Sequence, residues 1–250
     1  MIPAYNCSSQ IERVLKKLSE VDSALFEQIW IIDNRSKDDT AEAALRTSRE
    51  LGLKARVFRN SKNVNLGGTH KIAFREARKL GATHVLILHG DDQADATEAP
   101  SLIALSKKQS FCSILGARFM KGSKLIGYDR ARIAGNLVLN GIFTLVTGHR
   151  LRDLGSGLNL FALDDIPDSY IKDFGNSLSF NYELILHLVK HRKNYLFSPI
   201  SWREEDQISN ARNIKIFFSA VRILITWRLG IKQRHRSNGV ERVTMEEITC

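Results

Sequence analysis

The stretch that decides the fold of this chain is Thr83-His84-Val85-Leu86-Ile87-Leu88-His89-Gly90-Asp91-Asp92-Gln93-Ala94-Asp95. Its apolar, β-branched first half predicts a buried strand, and its second half brings His, Asp and Gln together around a glycine. In open α/β sheets, ligands bind at the carboxyl ends of such strands. Oxygen ligands with one imidazole favour a hard divalent ion such as Mg²⁺ or Mn²⁺. A solvated acidic loop capping the next helix is the alternative, and this stretch alone leaves both open.

Composition and charge are those of a globular domain with a basic surplus. The 250 residues are 43% hydrophobic and 26% charged, which allows one sizeable α/β domain. The net charge of +10 suits phosphorylated substrates, anionic lipid or nucleic acid, and the lack of a nucleic-acid-binding signature disfavours the last. Cys7, Cys112 and Cys250 form no metal-spaced pair and predict a reducing, cytoplasmic setting. The sequence holds no run of about 18 apolar residues that would predict a membrane-spanning helix.

Strands and helices alternate through the first half of the sequence. Ile29-Trp30-Ile31-Ile32-Asp33 is a second apolar run that ends in a carboxylate. The alternation predicts parallel βαβ units, and therefore an α/β fold with a Rossmann-like, mostly parallel central sheet flanked by helices. Asp33 and Asp91 then end neighbouring units of one sheet. Asp33 can accept hydrogen bonds from a base or ribose, while a diphosphate can lie over a metal at Asp91.

Gly67 and Gly68 stand at the start of a predicted helix. Their backbone N–H groups offer contacts to a phosphate. The glycine patterns of dinucleotide-binding and P-loop proteins are absent, so this signal is weak. Simple capping of the helix is the alternative role for the pair.

The last forty residues divide into a helix and a tail. Residues 214–231 carry Phe, Trp and Leu beside Arg and Lys, which predicts an amphipathic helix lying at a membrane surface. An ordinary helix packed on the core is the alternative. A charged loop is predicted at 201–213, and the polar residues 232–250 are expected to be disordered.

Several motifs, in this order, resemble those of family 2 glycosyltransferases with the GT-A fold: Ile2-Pro3-Ala4-Tyr5-Asn6, Ile31 to Thr40, Leu66-Gly67-Gly68 and His89 to Asp95. The later segments Asp153-Leu154-Gly155-Ser156-Gly157 and Pro199 to Arg203 resemble the polyprenyl-phosphate, dolichol-phosphate mannose synthase-like branch. The resemblance covers about residues 1–215. It implies a GT-A domain over residues 1–213, and ordered motifs at these spacings are a more specific signal than any single one.

This resemblance implies an inverting transferase that uses a UDP- or GDP-linked sugar and Mn²⁺ or Mg²⁺. Asp33 would contact the nucleoside, with Pro3-Ala4-Tyr5 cradling it. The Asp-x-Asp motif of the family falls on His89-Gly90-Asp91, so His89 replaces its first acidic residue. Asp91 is then the retained metal ligand, and Gln93 falls where the branch has a further ligand. An imidazole ligand at His89 would favour Mn²⁺ over Mg²⁺, and contact with phosphate alone is the alternative role for His89.

The resemblance also implies an acceptor, either a polyprenyl phosphate or a cell-surface glycan. Arg118 and Arg132 lie where the branch places arginines that offset the charge of an acceptor phosphate, and Arg203 is a third candidate. For a hydroxyl acceptor, Glu183 or Asp153 is the candidate general base. A lipid acceptor implies peripheral contact with the inner face of a membrane. Each arginine taken alone is more often a solvated surface charge.

Two other functions compete with this one. A sugar nucleotidyltransferase would consume a nucleoside triphosphate and release pyrophosphate, but the chain lacks a glycine-rich, basic N-terminal loop. A non-catalytic relative could scaffold a membrane assembly, which the replacement of an acidic residue by His89 keeps open. Binding to vesicles without sugar transfer would distinguish the scaffold from the enzyme.

Overall fold

A computed structural model of the protein describes residues 1–204, 213–231 and 239–249. The strands β1 to β10 are, in chain order, Ile2–Ala4, Ile29–Asp33, Ala55–Asn60, His84–Leu88, Ser113–Ala117, Leu125–Ile126, Leu158–Ala162, Tyr195–Pro199, Trp202–Arg203 and Met245–Glu247. The α-helices α1 to α8 are Ser8–Ser19, Thr40–Glu50, Asn65–Lys79, Ala99–Lys108, Arg130–Thr147, Asp168–Ile171, Phe180–Lys190 and Asn213–Arg228. Most of the predicted charged loop at 201–213 lies outside the described residues.

The central sheet is built from two four-stranded parts that meet at β1 and β4. One part has the order β10-β3-β2-β1 and the other β4-β7-β5-β8. Three backbone hydrogen bonds join them in parallel: Met1 N to Leu86 O at 2.9 Å, Leu88 N to Met1 O at 3.1 Å, and Gly90 N to Pro3 O at 2.9 Å. Strand β1 therefore lies between β2 and β4. Because the three strands are parallel, their carboxyl ends lie at the same edge of the sheet.

The sheet is mixed, although the α/β fold class predicted from the sequence is confirmed. Strands β1, β2 and β3 are parallel, as are β5 and β8, whereas β7 runs antiparallel to both β4 and β5. The reason is visible at the start of β7, where His89 N donates to Gly157 O at 2.9 Å. Since β7 begins at the edge where β4 ends, it has to run in the opposite direction.

Apolar stripes on the helices cover both faces of the sheet. On α1 the buried side chains are Ile11, Val14, Leu15 and Leu18, the spacing that the sequence predicts for a core-facing helix. On the other face α3 and α7 bury Phe74 and Phe180 completely. Burial of each such side chain contributes about 1.5–3 kcal/mol to the stability of the fold. Packing on both faces therefore holds the sheet in place.

The predicted C-terminal helix is present as α8, but its amphipathic character is not confirmed. Its core-facing side buries Ala220, Ile223 and Leu224. Its opposite side also carries the exposed apolar residues Phe218 and Ile225, and Leu229 is exposed just after the helix. The helix therefore packs on the core, as the alternative interpretation states, and leaves an apolar face uncovered within the described part of the chain.

The prediction of a disordered tail over residues 232–250 is wrong for residues 239–249, while residues 232–238 and Cys250 lie outside the described residues. This segment forms a 3-10 turn at Val240–Arg242 and then β10, which pairs antiparallel with the edge strand β3. Val240 and Val243 pack with Val64 and Ile72. Because β3 would otherwise present an open edge, pairing with β10 satisfies its backbone groups.

Candidate functional site

Asp33 and Asp91 lie at the same edge of the sheet, on the two sides of β1. Asp33 is aligned with Ala4 of β1, and Gly90 N bonds to Pro3 O on the other side of that strand. Adjacent strands are about 4.8 Å apart, so the backbones of the two aspartates are separated by roughly 10 Å. The strand pattern predicts this shared edge, and the structure confirms it.

The loop after β2, where nucleoside contact is predicted, is organised by Asp33. Its buried carboxylate accepts hydrogen bonds from Ser36 N at 3.1 Å and from the Ser36 hydroxyl, and it forms an ion pair with Arg59 Nε at 2.9 Å. Hydrogen bonds from Arg59 to Glu42, and then to Asp33, raise the pKa of the Arg59 guanidinium. The ion pair fixes the loop after β2. Pro3 and Ala4 are buried within β1, so they support this side from beneath.

Tyr5 is the exposed member of the predicted nucleoside cradle, with 43% of its surface accessible. The chain turns sharply after it, because Asn6 has φ 49°. Asn6 N donates to Ser36 Oγ at 2.9 Å, and Lys37 N donates to Asn6 Oδ1 at 2.8 Å. These bonds tie the loop after β1 to the loop after β2, so a planar base stacked on Tyr5 would lie next to Asp33.

Asp91 begins a tight turn that its neighbour Asp92 anchors. Gln93 N donates to Asp91 Oδ1 at 3.2 Å, and burial raises the pKa of the Asp91 carboxyl. Asp92 is buried and has φ 57°, a left-handed conformation that is uncommon outside glycine. Its carboxylate contacts Arg13 Nε at 2.7 Å and Lys17 Nζ at 2.8 Å on α1. With Arg203 at 3.7 Å, three cations surround one carboxylate, so the cluster is positively charged next to Asp91.

His89 points into an aromatic cluster. Its ring lies 5.5 Å from the ring of His70, which in turn lies 5.5 Å from Phe180. A Cβ on Gly157 would come within 2.8 Å of His89 Nδ1, so glycine is needed there. Burial lowers the pKa of both imidazoles, which are therefore neutral. Both nitrogens of His70 and Nε2 of His89 are buried without a hydrogen-bond partner.

The predicted metal site is only partly matched. Within the described ranges, no three His, Cys, Asp or Glu side chains are grouped so that they could hold an ion. The Gln93 side chain donates to Glu204 Oε1 at 3.2 Å, and the free ring nitrogen of His89 is covered by protein. Asp91 fits a hard ion best, because Mg²⁺ is commonly bound by one or two carboxylates together with substrate phosphates.

Gly67 and Gly68 have another role than the predicted phosphate contact. Their N–H groups both donate to Asn176 O, at 2.8 and 3.3 Å. A Cβ on Gly67 would lie 2.5 Å from the Cβ of Phe180, and one on Gly68 would lie 2.7 Å from that of Val64. Gly67 is needed for close packing of α3 against α7 and the segment before it, Gly68 is needed for the close approach of Val64, and the N–H groups of both are occupied.

Arg118 and Asp153, predicted as a phosphate-binding arginine and a general base, form a buried ion pair. Asp153 accepts from Arg118 N, Nε and Nη2, each at 2.8 Å. Burial alone would lower the pKa of Arg118, but the charge and hydrogen bonds of Asp153 outweigh burial and raise it. The guanidinium also stacks on Trp202, with its carbon 4.8 Å from the ring centroid. Because each group satisfies the other, the pair positions its surroundings and is not available for proton transfer.

Arg132 is also paired, in this case with a residue that the sequence analysis did not select. Its Nη1 donates to Glu204 Oε2, and its guanidinium lies over the ring of Tyr128 at 5.1 Å. The Tyr128 hydroxyl accepts from Arg118 Nη1 at 3.3 Å. A continuous polar network therefore runs from Gln93 through Glu204 and Arg132 to the Arg118 pair. No local motif marks Glu204, and its only signal is that it follows Arg203.

Glu183 is engaged by the segment that precedes α7. It is buried on α7, where Oε2 accepts from Gly175 N at 2.6 Å. Lys71 donates to the same segment, at 2.5 Å to Phe174 O and 2.8 Å to Asn176 Oδ1, and burial lowers the pKa of Lys71 to about 8. Glu183 therefore ties the segment before α7 to α7, and Lys71 ties the same segment to α3.

Two further features bear on what the molecule can contact. Among the helices of the described residues, none is both long and apolar enough to cross a bilayer. A cavity of about 330 Å³ opens at the opposite, amino edge of the sheet, next to Met1, Gln28 and His84. None of the predicted site residues lines it, so it is separate from the edge that carries Asp33 and Asp91.

Comparison with known proteins gives both sequence and structural relatives. The model of glycosyl transferase family 2 matches residues 1–162. The UDP-N-acetylglucosamine–dolichyl-phosphate N-acetylglucosaminyltransferase of Methanococcus voltae is 24% identical over 173 residues, which cover 65% of this chain and 68% of that protein. The dolichol-phosphate mannosyltransferase of Pyrococcus furiosus is 27% identical over 165 residues, 65% of this chain and 45% of that protein. This chain thus spans under half of the second relative.

The structural relatives include the glucosyl-3-phosphoglycerate synthase of Mycobacterium tuberculosis. Its crystal structure superposes with a TM-score of 0.61 at 12% identity, covering 99% of this chain and 87% of that one. Its complex with Mn²⁺, UDP and phosphoglyceric acid gives a TM-score of 0.60 at 12% identity, covering 99% and 86%. At this identity the similarity establishes the GT-A fold alone. Since the family model covers 162 of the 250 residues, the chain belongs to glycosyl transferase family 2.

Proposed function

We propose that this protein transfers a sugar, with inversion at the anomeric carbon, from a UDP- or GDP-linked donor to an acceptor bound at the carboxyl edge of the sheet. The observation that carries the proposal is the placement of Asp33 and Asp91 on the two sides of β1, at one edge. A nucleotide sugar has a base and ribose at one end and a diphosphate at the other. The two aspartates are spaced to face these two ends.

In this proposal the two sides of β1 bind different parts of the nucleotide sugar. The loops that carry Tyr5 and Asp33 hold the nucleoside, because they are tied together by Asn6 and Ser36. Asp91 faces the diphosphate, and a divalent ion held there with the diphosphate oxygens would supply positive charge to the leaving group. The cations around Asp92 add to that charge, since three of them share one carboxylate.

The relatives suggest one class of acceptor and the residues allow another. The names of the two archaeal relatives include a dolichyl or dolichol phosphate, which supports a polyprenyl phosphate as acceptor here. A glycan hydroxyl is the second class. The two differ chemically, because a phosphate is already an anion at neutral pH whereas a hydroxyl has to lose a proton during the transfer.

Peripheral membrane contact forms part of the proposal. Helices α5 and α8 contain no acidic residue, and they contribute the basic residues Arg130, Arg132, Lys215, Arg222 and Arg228. They also expose apolar side chains, which are Leu137, Val138, Leu145, Phe218 and Ile225, and Leu229 is exposed just after α8. An exposed apolar surface combined with positive charge favours an anionic bilayer surface. A membrane-bound acceptor would then be presented near the start of α5.

Isothermal titration of UDP and GDP, with and without Mn²⁺, tests the donor half of the proposal. We expect metal-dependent binding of one nucleotide, and loss of the metal dependence in Asp91→Asn. Asp22→Asn is the control, because that carboxylate caps a 3-10 turn away from the site and Asn caps equally well. Wild-type protein that binds neither nucleotide in the presence of metal would refute the proposal.

The competing functions are not favoured by the family match. A sugar nucleotidyltransferase would release pyrophosphate from a nucleoside triphosphate, which is a direct assay on the same protein. A non-catalytic scaffold would bind vesicles and leave every nucleotide sugar intact.

A further inference from the structure

We propose that Glu204 is the general base of the transfer and that the acceptor is therefore a hydroxyl group. This inference rests on the proposed glycosyl transfer and adds to it the identity of the base and the class of acceptor. The inference rests on the position of Glu204 beside the turn that carries Asp91. It also rests on the ion pairs and hydrogen bonds that already occupy the other candidate carboxylates and arginines.

The backbone fixes Glu204 next to the turn that carries Asp91. Strand β9 pairs with β6, and Trp202 forms an additional bridge with Ala94. Arg203 N donates to Gln93 O at 2.8 Å, and Glu204 N donates to Ile126 O at 2.9 Å. The position of Glu204 is therefore set from two sides, by the segment after β4 and by β6. A base held in this way loses little freedom when the acceptor binds.

The Glu204 side chain is oriented by two partners and still reaches solvent. Gln93 Nε2 donates to Oε1 at 3.2 Å, and Arg132 Nη1 donates to Oε2. The side chain is 13% exposed, compared with 1% for Asp92 and 1% for Asp153. These two donors fix the orientation of the Glu204 carboxylate, and its remaining exposure leaves it open to an acceptor at this edge of the sheet, unlike Asp92 and Asp153.

The carboxylates nominated from the sequence cannot serve equally well. Asp153 accepts three hydrogen bonds from Arg118 and a fourth from Gly155 N at 3.0 Å. Glu183 is buried against the backbone of Gly175. A general base has to reach the proton that it removes, and of these three carboxylates Glu204 lies closest in the network to the Asp91 turn.

The arginines point to the same class of acceptor. Arg118 is paired with Asp153, Arg132 with Glu204, and Arg203 lies 3.7 Å from Asp92. A phosphate acceptor bound by these arginines would have to displace or share a carboxylate at each one. A hydroxyl acceptor needs no such exchange, and it needs the base that a phosphate does not.

The transfer step then balances as follows. The acceptor O–H bond breaks as its oxygen forms a bond to the anomeric carbon of the donor sugar. The bond between that carbon and the diphosphate oxygen breaks, and its electron pair leaves with the nucleoside diphosphate. The proton moves to Glu204, which releases it to solvent after the product departs.

The test compares Glu204→Gln with wild type in the presence of a UDP- or GDP-linked sugar and Mn²⁺. Three acceptors are supplied: water, an alkyl glycoside and a polyprenyl phosphate in detergent. We expect transfer to the hydroxyl acceptors, water included, to fall by about 10²–10⁴-fold, while donor binding stays within about threefold of wild type. Glu247→Gln is the matched control, because it removes a carboxylate that is also paired with an arginine, Arg56, on the remote β10. It should leave both quantities unchanged.

Glu204→Ala with added formate separates proton transfer from a structural role. A small carboxylate that enters the space left by the side chain should restore part of the hydroxyl transfer, and formate should not affect Glu247→Gln. Absence of rescue, with normal folding and donor binding, would overturn the role of Glu204 as a base.

The acceptor class is overturned if the wild type transfers only to the polyprenyl phosphate and neither to the alkyl glycoside nor to water. A fall in phosphate transfer in Glu204→Gln as large as the fall in hydroxyl transfer would overturn the role of Glu204 as a base, because a phosphate acceptor needs no deprotonation. These results are distinct from failure of the proposed function, which would appear as a wild type that does not bind a nucleotide with metal.

Discussion

Replacement of Asp153 by Asn should be among the most destabilising conservative changes in this protein. The substitution keeps the shape of the side chain and removes its charge, so that the Arg118 guanidinium remains buried without a counter-ion. Arg118 is 5% exposed, and its Nε and Nη2 each lie 2.8 Å from an Asp153 oxygen. Loss of one partner of a buried pair costs about 3–5 kcal/mol. That is between about a fifth and the whole of a typical total stability of about 5–15 kcal/mol.

Part of the environment of Arg118 survives the substitution. Its stacking on Trp202 and Phe119, at 4.8 and 5.1 Å, is unaffected by the loss of charge on Asp153. Such contacts contribute about 0.5–2 kcal/mol each, which is less than the loss of the ion pair. We therefore expect the variant to fold with reduced stability. The double variant Arg118→Met, Asp153→Asn should be more stable than Asp153→Asn, because it contains no buried unpaired charge.

Urea unfolding at neutral pH, followed by tryptophan fluorescence, measures the effect. With a slope of about 3 kcal/mol per molar urea, the midpoint of Asp153→Asn should fall by about 1–2 M. Glu247→Gln breaks the exposed pair with Arg56 and should cost less than about 1 kcal/mol. A loss for Asp153→Asn as small as that of the control would refute the structural role assigned to the Arg118 pair. A large loss of activity without loss of stability would return Asp153 to catalysis.

Four other predictions concern other parts of the molecule. Gly67→Ala should cost about 1–3 kcal/mol in thermal unfolding, because its Cβ would lie 2.5 Å from that of Phe180. Gly141→Ala, on the exposed face of α5 with no neighbour within 4 Å, should stabilise by up to about 1 kcal/mol. Burial lowers the pKa of His187 to about 4 from its usual 6.5, so protonation of this imidazole favours the unfolded state. The contribution of His187 to the free energy of unfolding should be complete above pH 6.5 and should fall as the pH decreases towards 4. His187→Gln should reduce the change in melting temperature across that window, and an unchanged slope would contradict this assignment. Leu145, 83% exposed, should contribute to membrane contact, so Leu145→Glu should weaken sedimentation with anionic vesicles and leave nucleotide binding intact; equal sedimentation would count against the proposed surface.

Much of the donor side of the site was predictable because it depends on local sequence patterns. An apolar run ending in Asp33 and another ending before Asp91 define two strand ends, and the helices between them make the strands parallel. Parallel strands joined by such helices end at a common edge, so the two aspartates lie there whatever the details of packing. The family resemblance adds the kind of ligand that such an edge holds.

The partners of individual side chains were not predictable in this way. The arginine at position 118 was expected to bind phosphate, but it meets Asp153, which is 35 residues away along the chain. Gln93 was expected to bind metal, but it donates to Glu204, 111 residues away. Such choices depend on which distant segments pack together, and neither residue carries a local signal for its partner.

By itself, the sequence determined the α/β class, the strand ends that carry Asp33 and Asp91, and membership of a glycosyltransferase family through its ordered motifs. These are properties of short segments whose hydrophobic period and terminal residues define their structure. Only the tertiary structure decided that β7 runs antiparallel, that β10 covers the edge of the sheet, and that Glu204 reaches the Asp91 turn. Each of these depends on contacts between segments far apart in the chain, and the energy of such contacts is set by packing and by the pairing of buried charges.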